Sequence, residues 1–194
     1  MRKIRALHTL ETITVYQAYP PAIARAALAA GRFVPPFKRE RMTWIKPSFL
    51  WMMYRCGWAA KPDQETVLAV EITRAGFEEA LSQACLSHYD PDRYASREAW
   101  SQELKKSPVR IQWDPERSLH LGALPHRSLQ VGLSGPAVHQ YVDDWLVRLT
   151  DVTPLAREIH ELVLAGDDDS ATALLPAEEE YPLPADIATH INAT

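Results

Sequence analysis

A chain of 194 residues that is 46% hydrophobic and 24% charged carries enough apolar material for one continuous core, which excludes an extended disordered protein. Two cysteines, Cys56 and Cys85, lie in apolar surroundings and outside any Cys-x-x-Cys pair, so neither a disulfide framework nor a zinc site is expected. The net charge of −4 conceals a split: residues 1–61 hold eleven Lys/Arg against Glu11 and Glu40, a charge of +9, whereas the remaining 133 hold ten Lys/Arg against 23 acids, −13. If the two parts stay apart in space the molecule is polarised; if they interleave, basic and acidic segments pair on folding.

Along the chain, Thr12-Ile-Thr-Val-Tyr-Gln-Ala-Tyr19 is rich in β-branched and aromatic residues and predicts a strand. Pro20-Pro21 stops it and opens an alanine-rich helix, Ala22 to Ala30, with Gly31 as its C-terminal cap. Phe33-Val-Pro-Pro-Phe37 reads as a loop and Arg41–Ile45 as a short strand. Phe49 to Cys56, ended by Gly57, is a helix apolar almost all round, which belongs inside the fold and leaves Arg55 needing Glu71, Glu65 or a ligand as partner.

Thr66 to Thr73 is a nearly continuous apolar strand, Gly76 to Leu86 an amphipathic helix, and Ser96 to Lys106 a helix capped by Ser96. Val109–Trp113 and Ser128–Leu133 read as strands. Ala137 to Leu149 and Pro154 to Ala165 read as helices, the first with Val138, Tyr141, Val142, Trp145 and Leu149 at helical spacing. This irregular order predicts a single α+β domain over residues 1–176 with a mixed or antiparallel sheet. Residues 177–194, with Glu178-Glu-Glu-Tyr-Pro-Leu-Pro-Ala185, are expected to form an extended arm.

No apolar run approaches the roughly 20 residues of a membrane span, and Met1-Arg-Lys-Ile-Arg-Ala6 is basic without the apolar stretch of a signal peptide, so a cytoplasmic protein is expected. Phosphate-loop, dinucleotide, zincin and nucleophile-elbow signatures are missing. Seven scattered histidines contain no i, i+4 pair, so no metal is expected; His139 and His160 read as surface residues, and His120 and His126 as parts of a hairpin loop.

The segment Arg41-Met-Thr-Trp-Ile-Lys-Pro-Ser-Phe-Leu-Trp-Met-Met-Tyr-Arg55 is different in kind. It sets Arg41, Thr43, Lys46, Ser48 and Arg55 among Trp44, Trp51 and Tyr54, and its Lys46-Pro47-Ser48 turn opens a helix whose first N–H groups suit an anion. Phosphate would meet Lys46 and the arginines, and Trp44 or Trp51 would offer a flat face to a base. The alternative is that the tryptophans, Met52 and Met53 are core and Ser48 only a cap.

With Thr14–Tyr19 and Arg127–Leu133, this segment resembles an uncharacterised family, domain of unknown function 4291, from Arg2 to about Ile159. The family brings no activity with it. Its relatives are expected to carry serine where this chain has Cys56, which argues against Cys56 as a required nucleophile. A weaker resemblance is to the ADP-ribosyltransferase fold, which holds NAD between separated strands. That resemblance implies catalytic positions at Gln17, Thr43 and Gln130, with Tyr16 helping to orient the sugar; glutamine at the third position lacks the negative charge of the usual glutamate. Three functions follow, in order of preference. The first is a nucleotide-binding protein using NAD or another nucleotide, as an enzyme or as a relative without transferase activity. The second is a nucleic-acid-binding module, and the third a protein-interaction domain without a ligand.

Overall fold

The computed structural model describes residues 1–194. Strand β1 (Arg5–Ala6) precedes β2 (Thr12–Tyr19), where Pro20 ends the strand and Pro21 starts α1 (Pro21–Ala30). Gly31 closes α1 at φ 65°, a left-handed cap whose N–H reaches Ala27 and Leu28 carbonyls. A loop leads to β3 (Thr43–Ile45) and α2 (Phe49–Cys56), then β4 (Thr66–Thr73) and α3 (Arg74–Ser82). Next come β5 (Ala84–Leu86), α4 (Arg97–Lys106), β6 (Val109–Arg117) and β7 (Ala123–Leu133). A short α5 (Pro136–Gln140) runs into a π-helical turn (Tyr141–Trp145), followed by β8 (Leu146–Asp151), α6 (Thr153–Ala165), α7 (Asp168–Ala173), β9 (Glu179–Glu180) and α8 (Ala185–His190).

The architecture is α+β with two principal sheets. One is antiparallel, in the order β2-β4-β8; the other runs β3-β7-β6-β5 and is antiparallel except for the parallel β5–β6 pair. The sheets meet at one residue: Thr43, Trp44 and Ile45 pair with Leu133, Gly132 and Val131 of β7, but Lys46 exchanges both backbone hydrogen bonds with Tyr16 of β2. The chain thus changes sheets between Ile45 and Lys46.

The β2–β4 face carrying Ile13, Val15, Leu68 and Val70 joins the main core with β6, β7 and the π turn. Its other face, with Tyr16 and Val67, packs against Phe49, Met52, Met53 and Cys56 of α2 and Ala156 and Ile159 of α6. A Cβ on Gly76 would lie 2.2 Å from the Trp145 ring, so α3 sits directly on the π turn only because this residue has no side chain.

Several expected elements end differently. The Gly76–Leu86 helix stops at Ser82 because Ala84, Cys85 and Leu86, all buried, form a strand; a short apolar run covered on both sides reads alike as buried helix or strand. The Ala137–Leu149 helix gives way after Trp145 to β8, which fills the open edge of β4, so Leu149 is a strand residue. The strand beginning at Arg41 starts at Thr43, while the two hairpin strands are longer than read, to Arg117 and from Ala123. The segment expected as an extended arm docks: β9 pairs with β1, and Tyr181, Ile187 and Ile191 are buried. These large apolar residues are spread among proline and charge, a pattern with no period to betray them. No helix is long and apolar enough to cross a membrane.

Candidate functional site

Where the two sheets meet, the end of β2, the loop before β3, β3 itself, α2 and the loop after α2 enclose a cleft of about 490 Å³. Lys38 and Arg41 come from the first loop, Lys46 from the sheet junction and Arg55 from α2; the acid among them is Asp63. Arg41 is exposed and its side chain forms neither an ion pair nor a hydrogen bond. Elsewhere the basic N-terminal third does pair with acids from further along the chain: Arg2 with Asp90, Lys3 with Glu180, and Arg39 with Asp143. Interleaving thus pairs some of the basic third with acids and leaves the cleft cationic.

The inner wall is a hydrogen-bonded chain. Gln17 Oε1 accepts from Tyr141 Oη at 2.7 Å, and its Nε2 donates to Thr43 Oγ1 at 2.6 Å and to the Trp44 carbonyl at 3.3 Å. Thr43 Oγ1 also lies 3.0 Å from Tyr19 Oη. Burial raises the phenols of Tyr19 and Tyr141 well above the ordinary tyrosine range, so both keep their protons and remain donors. The amide of Gln17, satisfied on both sides, fastens β2 to β3 and to the π turn.

Lys46 is buried, with Nζ donating to the Trp44 carbonyl at 3.0 Å and lying 5.9 Å from the Trp51 ring centroid. It has no carboxylate within ion-pair distance. Burial first, and the Arg55 charge second, bring its ammonium down to about 7, against smaller opposing effects of Cys56 and Asp114. The loop beyond α2 is irregular: Trp58, Ala59 and Asp63 adopt φ of 55°, 62° and 63°, left-handed values that a Cβ disfavours, least so in Asp63. That loop supplies Asp63 and Gln64 to the cleft wall.

A family model described as Domain of unknown function (DUF4291) matches residues 3–181. The chain belongs to the DUF4291 family. The match takes in every residue of the cleft and of its hydrogen-bonded wall, and stops short of α8. A comparison with curated proteins gives no match.

Of the residues singled out by sequence, this DUF4291 domain brings Gln17, Arg41, Thr43, Trp44, Lys46 and Arg55 to the cleft. Trp44 lies half-buried over Gly132, where a Cβ would come within 2.9 Å of its ring. Gln130 does not join them: its Nε2 donates to Asp114 Oδ2 at 2.8 Å, on the sheet face where Gln112 Nε2 holds the other carboxylate oxygen at 2.9 Å. Tyr16 is core, edge-on to Phe49, and Trp51 is buried. Tyr54 stands outside the cleft with the Arg117 guanidinium 3.5 Å over its ring.

Two expectations for α2 are corrected. Arg55 is exposed, because Leu50, Tyr54 and Arg55 share the one solvent edge of the helix; its partner is Gln64 Oε1 at 3.3 Å, not Glu65 or Glu71. Two of the N-terminal N–H groups expected to await an anion are already used, Phe49 N–H by Glu178 Oε1 at 2.7 Å and Trp51 N–H by Ser48 Oγ at 3.1 Å. Ser48 Oγ in turn donates to Glu116 Oε1 at 2.9 Å, so Ser48 is a cap. The distance of 129 residues between Phe49 and Glu178 hides this pairing from any local reading. Sequence reasoning also missed Tyr19, Lys38, Asp63, Gln64 and Tyr141; Lys38, inside the basic run, is the one with a legible signal.

Proposed function

We propose that this DUF4291 domain binds a small phosphate-bearing molecule of nucleotide type in the cleft, with NAD and ADP-ribose as the first ligands to test. The observation that carries the reading is the set Lys38, Arg41, Lys46 and Arg55 facing Asp63 around one cleft, with Arg41 unengaged and Lys46 without a counter-ion. Guanidinium groups suit phosphate through paired N–H donors, and a volume of about 490 Å³ falls in the range of small-molecule sites. Trp44 offers a half-exposed ring for a base, and Thr43 and Tyr19 offer hydroxyls for a sugar.

Binding has more support than glycosyl transfer from NAD. Gln17 is satisfied on both sides of its amide and Gln130, tied to Asp114, is not among the residues that line the cleft, so of the three positions implied by the ADP-ribosyltransferase resemblance only Gln17 and Thr43 line it. A nucleic-acid groove has less support still, because the chain is acidic overall and Lys38, Arg41, Lys46 and Arg55 gather around a cleft rather than along a stripe.

The test is a thermal-shift series with NAD, ADP-ribose, ATP, GTP and short single-stranded RNA at low and moderate salt. A ligand at about 100 times its dissociation constant stabilises the fold by about 2.7 kcal/mol. The expected result is a shift with a mononucleotide or dinucleotide that Arg41→Ala removes; a shift with RNA alone, lost as salt rises, would replace this reading.

A further inference from the structure

We infer that Lys46 is a reactive amine that condenses with the carbonyl carbon of a phosphorylated aldehyde, or of a phosphorylated aldose in its open-chain form, held in the cleft. The inference rests on the reading of the cleft as a phosphate site and adds a covalent step to it.

Lys46 differs in kind from the five other lysines. Lys38, Lys61, Lys105 and Lys106 are exposed, and Lys3 is paired with Glu180 at 2.6 Å, whereas Lys46 is 7% exposed and lines the cleft. Its Nζ meets one hydrogen-bond acceptor, the Trp44 carbonyl, the Trp51 ring on another side, and the neighbouring charge of Arg55; Cys56 and Asp114 are the other ionisable groups that act on it. An amine so placed is disfavoured as a cation both by lost hydration and by a neighbouring cation, the two means by which lysine nucleophiles are activated. A neutral amine donates one N–H to Trp44 and keeps its lone pair free. At neutral pH its unprotonated fraction exceeds that of a solvent-exposed lysine by roughly three orders of magnitude.

Arg41, Arg55 and Lys38 are left to hold phosphate while the carbonyl meets Nζ. The lone pair of Nζ forms the C–N bond as the C=O π pair moves to oxygen. Proton transfer from nitrogen to oxygen gives the neutral carbinolamine. Loss of the hydroxyl with the remaining N–H proton, as one water, leaves C=N. No electrons are gained or lost, and aldehyde plus amine balance imine plus water.

The experiment treats the full chain at neutral pH with stoichiometric pyridoxal phosphate, or with pyridoxal as the phosphate-free arm. Borohydride reduction and peptide mapping then follow, with thermal shifts measured in parallel for pyridoxal phosphate and ribose 5-phosphate. The expected result is a reduced adduct on Lys46, formed at least about tenfold faster than on exposed Lys38 and at least about tenfold faster with pyridoxal phosphate than with pyridoxal. Lys46→Arg and Lys46→Met should lose that adduct. A thermal shift with either phosphate compound but no adduct on Lys46 overturns the covalent step and leaves the phosphate site standing. Equal labelling of Lys46 by pyridoxal overturns the phosphorylated ligand class, and absence of both shift and adduct overturns the covalent inference, while the nucleotide site stands or falls by its own shifts with NAD and ADP-ribose.

Discussion

At the scale of single residues, the cleft is built from two opposite treatments of polar groups. Gln17 is fully hydrogen-bonded, so its burial is compatible with stability and its removal would orphan the Tyr141 hydroxyl and leave Thr43 Oγ1 with Tyr19 alone. Lys46 is buried without a counter-ion, which costs stability that a ligand anion would restore. Its folded ammonium titrates at about 7, below the ordinary lysine value, so between about 7 and 10 the unfolded chain binds the extra proton and stability rises with pH. The contribution is a penalty, fully present below 7. Lys46→Met is expected to raise stability near pH 7 by on the order of a few kcal/mol and to flatten the rise toward pH 9. Denaturant unfolding at pH 6.5 and pH 9 checks it: a variant that is less stable than the parent at both would contradict the account.

At the scale of elements, α2 depends on its remote cap. Burial raises the Glu178 carboxyl to about 8; the Phe49 N–H works the other way, Glu116 adds to the rise and Arg5 reduces it. A carboxyl raised above its unfolded value stabilises fully below about 4.5, and that stability is lost as pH rises through about 8. Glu178→Gln retains an acceptor for Phe49 and removes the titration, so the variant is expected to gain on the parent above pH 8 and to lose the parent's stabilisation on acidification. Thermal melts from pH 5 to pH 9 measure the difference; parallel pH profiles would show that Glu178 does not control it. The same elements show what was legible locally. The helix of α2 ends where Gly57, at φ 60°, was expected to end it, but the partner of its first N–H lies in a different part of the chain.

At the scale of the molecule, the C-terminal segment is part of the fold. It adds β9 to β1, buries Tyr181, Ile187 and Ile191, ties Trp113 Nε1 to the Ile191 carbonyl at 2.9 Å, and delivers Glu178 to α2. Truncation after residue 176 is therefore expected to lose cooperative unfolding, because losing large buried side chains costs about 2–5 kcal/mol each against a total stability of about 5–15 kcal/mol. Circular dichroism and a melting curve of the truncated chain decide it; a cooperative transition near that of the full chain would show the segment to be an appendage.

The sequence by itself determined those features whose causes are local. Alternating β-branched and aromatic residues wrote β2 and a nearly continuous apolar run wrote β4, Pro20-Pro21 and Gly31 bounded α1, Ser48 and Gly57 bounded α2, and the density of Lys/Arg in residues 1–61 marked the region of the cleft. Tertiary structure alone decided which of those cations stay unpaired, since Arg39 finds Asp143 and Lys3 finds Glu180 across more than a hundred residues while Arg41 finds no acid. It also decided that Ala84–Leu86 and Leu146–Asp151 become strands, because an open sheet edge with unpaired N–H and C=O groups outweighs a weak local preference. Propensity and capping act over a few residues and can be read in order; pairing, burial and the electrostatics of a cleft act between residues that only the folded chain brings together.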